Sequence, residues 1–303
     1  MLRDGLSIPL AALAVAVAIT IFAWYSVTVF VNGLEQAHFE DEVLATVFSI
    51  NNRMQEYEQV LFGAKGLFAS SQQVEMPEWK AFVDNQMIRQ RFPGMQGVGF
   101  IERVPADKLA SHIASARGEG FANYTVWPES QKQEYYPVLF LEPLDARNRQ
   151  VLGFDVSSEQ VRNAAISEAM ESGQTTITGK ITSVMKTQIN NTQSGFLMLV
   201  PVYENGLPAD TPDERRENIK GFVYSSFRMN DLMSGITGRT VSDVTFSIHD
   251  GSPESQNLVF DLAAVAGTKE ADIDRSFEKT VIMEIGGRQW ILEFAALDSI
   301  HSG

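Results

Sequence analysis

Asp155 stands where a carboxylate can do chemistry. It closes the stretch V-L-G-F-D and is followed by V-S-S-E-Q-V-R-N-A-A-I-S-E-A-M-E-S-G. The spacing predicts a strand ending at Asp155, a helix, and a second strand from Thr175. Ser157 is the expected N-cap, with Gln160 completing a capping box. Val161, Ala164, Ala165 and Ala169 recur at i, i+3, i+4 and i+8, which makes one apolar face. Gly173 occupies the left-handed C-cap position. A carboxylate just ahead of a helix N-terminus is favoured in its ionised form by the dipole. There it could accept a hydrogen bond from a ligand, or serve only as a turn cap. Arg162, one turn into the helix, could meet an anionic ligand or pair with Glu159 at i−3.

Catalytic constellations are missing from the sequence. His38, His112, His249 and His301 are scattered, with no H-E-x-x-H spacing for a metal. There is no G-x-S-x-G elbow and no phosphate-binding glycine loop. Cysteines number 0, which removes thiolate ligands, disulfides and cysteine nucleophiles. Glu142 and Asp145 read as solvated carboxylates in an acidic chain. The expectation is a protein with no enzymatic activity, no metal and no cofactor. A formal net charge of -14 excludes a nucleic-acid partner, whose phosphates need a basic face.

The elements that position Asp155 follow from the order of the chain. Pro9 to Val31 carries no charge, is long enough to cross a bilayer as a helix, and has no cleavage site after it. Arg3 precedes it and no Lys or Arg follows until Arg53. The positive-inside rule therefore puts the N-terminus in the cytoplasm and the remainder outside an inner (plasma) membrane. Residues 1–31 are thus an anchor and 32–72 a stalk helix. Along the stalk Leu44, Val47, Ile50, Met54, Tyr57, Leu61, Ala64 and Phe68 form a near-heptad seam, suited to a parallel homodimer near the membrane and to internal packing further out. Pro77 opens a helix through about Gln90, and Pro105 another to about Ala116. Strands are expected at Gly97–Val104, Asn123–Trp127, Tyr136–Leu141, Gln150–Phe154, Thr175–Ile181 and Gly195–Tyr203. The polar stretch L-P-A-D-T-P-D-E-R-R-E-N marks a boundary near Leu207. Past it come a strand over Lys220–Phe227, a helix over Met229–Thr237, and four more strands, the last two joined at Gly286–Gly287. The fold class is α+β around antiparallel sheets.

Several stretches together resemble the CHASE domain, the extracytoplasmic sensory module of bacterial histidine kinases, diguanylate cyclases and plant cytokinin receptors. They are Y-E-Q-V-L with G-L-F-A-S-S, W-K-A-F-V, R-F-P-G-M-Q-G-V-G-F-I-E-R-V-P, E-Y-Y-P-V, L-E-P, N-R-Q-V-L-G-F-D and G-F-L-M-L-V-P-V-Y, in matching order over roughly residues 45–205. The resemblance implies two PAS-like subdomains above the stalk, 73–206 distal with the ligand pocket and 207–303 proximal. It further implies that Asp155 hydrogen-bonds the ligand, helped by a backbone group at Ile177 or Thr178. Phe100, Tyr135, Tyr136, Phe196, Leu197 and Met198 would wall the pocket, with alternate strand positions facing away. The segment between Lys180 and Ser194 departs from the plant pattern, so the ligand is not specified. A kinase or cyclase output is expected beyond a second membrane span, so that these residues correspond to the input part of such a receptor. Two functions fit: a sensor of an unidentified small molecule, or a periplasmic module that regulates a membrane partner through protein contacts alone.

Overall fold

The computed structural model describes residues 7–181, 194–237 and 243–297. Its first element is a single helix, α1 (Ser7–Ser70). From Ala12 it contains an 18-residue window of mean hydropathy 2.1, none of it buried by the protein. An uncovered helix this apolar and this long is built to sit in a bilayer. Further along, one face turns inward. Phe39, Val43, Ile50, Met54, Tyr57, Leu61, Ala64 and Phe68 are all at most 5% exposed. Most of the expected stalk seam is therefore used by the chain's own core, whereas Leu44 is 60% exposed. Alternation of three and four fits a helix packed on a sheet as well as it fits a coiled coil, and the sheet takes it.

The remaining elements follow in order: α2 (Met76–Gln86), α3 (Ile88–Arg91), β1 (Met95–Glu102), β2 (Val104–Pro105), α4 (Leu109–Gly118), β3 (Glu134–Tyr135), β4 (Val138–Glu142), α5 (Gln160–Ser172), β5 (Thr176–Ile177) and β6 (Gly195–Tyr203). Then come α6 (Pro212–Asn218), β7 (Ile219–Arg228), α7 (Met229–Thr237), β8 (Val244–Asp250), β9 (Leu258–Asp261), α8 (Leu262–Ala266), β10 (Ile273–Ile285) and β11 (Arg288–Leu297). A five-stranded antiparallel sheet runs β4-β1-β7-β6-β5, and a four-stranded one runs β10-β11-β8-β9. The boundary expected near Leu207 needs correction. It falls in the connection between β6 and β7, which are adjacent strands of one sheet. The polar, proline-containing stretch there is a hairpin excursion capped by Thr211 and Glu214, not an interdomain linker.

β6 explains why its sequence reads as an unbroken apolar run. Phe196, Met198, Val200 and Val202 belong to the core beneath α1, while Leu197 and Leu199 belong to the core beneath α5. Both faces are covered, so neither parity can be polar.

Other expectations change locally. The helix from Pro77 breaks at Met87, which takes a left-handed conformation (φ 52°) between α2 and α3. The strands expected at Asn123–Trp127 and Gln150–Phe154 reduce to one bridge, Trp127 to Phe154, and a 3-10 turn over Asn148–Val151. Gly153 accounts for this, because its φ is +76° and a Cβ there would stand 1.9 Å from the Thr125 carbonyl oxygen. The hairpin at Gly286–Gly287 forms as expected, with φ of 51° and 76°.

Candidate ligand-binding site

Asp155 is 0% exposed. Its Oδ1 accepts from the Tyr136 backbone N–H (3.0 Å), the Ser157 N–H (3.2 Å) and the Ser157 hydroxyl (2.7 Å). Its Oδ2 accepts from Lys132 Nζ at 2.7 Å. Asp155, not Ser157, is the capping residue here, and the helix it caps is the short 3-10 turn Val156–Ser158. The N-cap of α5 is Glu159, whose carboxylate accepts from the Val161 and Arg162 N–H groups. The buried face of α5 is Arg162, Ala165, Ile166 and Ala169, while Val161 is 36% exposed. Ala165 and Ala169 keep their expected place on that face, and Arg162 and Ile166 take the places expected for Val161 and Ala164.

Lys132 was not legible in the sequence. It lies in an irregular loop 23 residues before Asp155, with no periodic pattern to single it out. Its side chain remains 29% exposed while the carboxylate behind it is sealed. A cation held at the surface by a buried anion can offer its remaining donors outward. One further donor bond goes to the Ser157 hydroxyl at 3.0 Å.

Arg162 is 6% exposed, pairs with Glu159 at 3.1 Å and lies 5.7 Å from the centre of the Phe154 ring. Burial pushes its guanidinium pKa down, against the pull of Glu159. Tyr224 of β7 lies in the same core, directly over Gly99, where a Cβ would meet its ring at 2.4 Å. Burial pushes the Tyr224 phenol up, and the Arg162 charge acts in the opposite direction. The Tyr224 hydroxyl is buried and has no hydrogen-bond partner among the described residues.

The other expected wall residues separate between the two faces. Tyr136 and Leu197 share the α5-side core with Phe154, Val156 and Tyr224. Phe100, Phe196 and Met198 lie on the opposite face: Phe100 stacks on Phe68 of α1 (centroids 4.2 Å) and Phe196 on Phe227 (4.8 Å). These three cannot wall a pocket shared with Asp155. Tyr135 is directed away from its neighbour Tyr136, and its hydroxyl donates to the Ser130 carbonyl at 2.7 Å. The Ile177 N–H is given to Gly286 of the β10–β11 turn (2.9 Å), and the Thr178 N–H to Leu197 (2.9 Å). The Thr178 hydroxyl accepts from the Leu197 N–H at 3.0 Å. Both residues hold sheet edges together. The segment that departs from the plant pattern lies, over 182–193, outside the described residues. Glu142, expected on the surface, is 4% exposed and accepts from the Leu144 N–H.

A sequence model described as the CHASE domain matches residues 72–260. The chain belongs to the CHASE domain family. As a CHASE domain it is a non-catalytic, extracytoplasmic sensory module for signal transduction, held in the membrane by the N-terminal apolar helix with the sensory part in the periplasm. No curated protein matches this CHASE chain. Its fold is similar to that of the ligand-binding domain of the Pseudomonas aeruginosa PAO1 amino acid chemoreceptor PctC, in complex with GABA. That similarity has a TM-score of 0.46 and 10% identity, over 86% of this chain and 99% of that one. The periplasmic sensory domain of the Campylobacter jejuni chemoreceptor Tlp1 aligns with a TM-score of 0.49 and 10% identity, over 89% and 96%. The extracellular domain of the putative histidine kinase vpHK1S-Z8 gives 0.45 and 11%, over 90% and 94%.

Proposed function

We propose that this CHASE domain binds its small-molecule ligand on the α5 side of the five-stranded sheet, between Lys132 with Asp155 at one end and Arg162 with Tyr224 at the other. The Tyr224 hydroxyl carries this reading. A buried hydroxyl without a partner costs about 1–3 kcal/mol, and a ligand acceptor or donor would recover that. Tyr136 contributes an apolar wall, and Asp155 acts through Lys132 instead of touching the ligand.

The test uses the full chain in detergent, screened by thermal shift against adenines, amino acids, organic acids and small aromatics. Tyr224→Phe removes only the unpartnered oxygen. The unliganded variant should melt at or above the wild-type temperature, and the ligand-induced shift should shrink. A ligand that shifts both proteins equally would remove Tyr224 from the site.

We assign the five-stranded sheet and its helices to a distal PAS-like unit and the four-stranded sheet to a proximal one. A homodimer through α1 would use Leu34, Leu44 and Phe48. They are 56%, 60% and 66% exposed and fall within about 80° on the helix. Because the chain has no cysteine, single cysteines report this contact directly. Phe48→Cys should cross-link in membranes and Ile50→Cys should not; cross-linking of both alike, or of neither, would count against the seam.

A further inference from the structure

A cleft of about 490 Å³ opens on the other face of the five-stranded sheet, away from α5. Its floor and one wall are apolar: Phe68 at the end of α1, Phe100 of β1, and Leu139 and Phe140 of β4. The opposite wall is one face of α4, from Lys108 through His112 and Ser115 to Glu119 at its C-terminus. None of the residues flanking Asp155 or Arg162 lines it.

Most charges in this cleft are already satisfied. Glu102 is bonded to His112 Nδ1 at 2.6 Å, and His112 Nε2 to the Tyr124 hydroxyl at 2.9 Å. Arg103 is held by Glu134 and by the Glu217 carbonyl. Lys220 stands 3.5 Å from Glu204. Glu119 is the exception. Its Oε2 is buried with no partner among the described residues. Burial first, then the Glu75 and Glu102 charges, raise its pKa. A carboxylate desolvated among other carboxylates needs a cation, and the one lysine on the α4 wall, Lys108, is exposed.

We infer that this cleft is a binding site for an organic ammonium compound with a small apolar body. The ammonium group donates to Glu119 Oε2, and the body lies against Phe68, Phe100 and Phe140, whose ring faces attract a cation as well as apolar surface. The site joins the end of α1 to the C-terminus of α4.

Calorimetric titration of the full chain in nanodiscs, with empty nanodiscs as reference, tests this inference. The probes are 2-phenylethylamine and isopentylamine, with 2-phenylethanol and phenylacetate as neutral and anionic counterparts. The amines should bind wild type and the two counterparts at least about tenfold more weakly, the scale of a charge-assisted hydrogen bond. Glu119→Gln should weaken the amines by a similar factor. Ser115→Trp, which fills the cleft and leaves Glu119 in place, should do the same should the glutamine variant fold poorly. Lys132→Ala, across the sheet, should leave amine binding unchanged. Absence of amine binding to wild type, or undiminished binding to Glu119→Gln and Ser115→Trp, would overturn the inference. Amine binding lost only in Lys132→Ala would place the ligand on the α5 side, overturning this site while leaving the sensor reading intact.

Discussion

At the residue scale, Asp155 shows how a position can be found without its role being found. Its place before a helix was legible from S-S-E-Q alone. Its four hydrogen bonds were not, because two of the donors, Lys132 and the Tyr136 backbone, come from a loop and from the link between β3 and β4. Asp155→Ala should therefore cost about 3 kcal/mol, since it strips a fully buried anion from a paired cation. Denaturant unfolding measures this, and a variant as stable as wild type would mean that the Lys132 pair holds nothing in place. A second residue-scale prediction concerns pH. The Arg103 guanidinium holds the Glu134 carboxyl below its ordinary value of 4.5, with burial acting against it. A depressed native pKa adds stability above the unfolded value, and that stability is lost as pH falls through the native value. Glu134→Gln should lower the melting temperature near neutrality and flatten the acid limb of its pH profile. An unchanged limb would show that solvent screens the pair completely.

At the scale of elements, α1 and β6 were both visible in the sequence, and the internal packing expected along the outer part of α1 reaches further toward the membrane than its period revealed. β6 is apolar at every position from Phe196 to Val202, and a strand covered on both sides suits seven residues of that kind. The stalk seam was real too, yet its period cannot say whether the partner is a second helix or a sheet. Ile50 and Met54 decide it, at 0% and 4% exposed within a single chain. Ile50→Asp should cost more than about 3 kcal/mol, because it places an unpaired charge in that core. Phe48→Asp, two residues away and exposed, should leave the melting temperature unchanged and weaken self-association. Equal loss of stability in the two variants would contradict the orientation of α1. The strand expectations around Asn123 and Gln150 failed for a different reason. Their apolar residues pack against one another through irregular backbone that Gly153 alone makes possible, and no periodicity announces it.

At the scale of the whole molecule, the two large sheets meet where β5 touches the β10–β11 turn. Ile177 donates its N–H to Gly286, and Arg288 grips Asp250 with two bonds of 2.7 and 2.9 Å while Lys180 donates its N–H to the same carboxylate. β5 follows α5 directly, so a displacement of α5 has a short route to the four-stranded sheet. Arg288→Ala should split one calorimetric unfolding transition into two; a single undiminished transition would mean that other contacts bind the sheets. None of this junction was readable, because Asp250 and Arg288 are ordinary surface types that become specific only through the meeting of two hairpin ends. The uninterrupted course of α1 has a further result. Sixty-four residues without a break make a rod about 96 Å long, so the lipid-embedded face and the sensory face share one rotational phase. Inserting a single residue after Val31 would turn everything outside by about 100°, whereas seven would return it to within about 20°. Signalling output plotted against insertion length should therefore oscillate with the helical repeat, as the angular setting of a crankshaft fixes when each stroke falls.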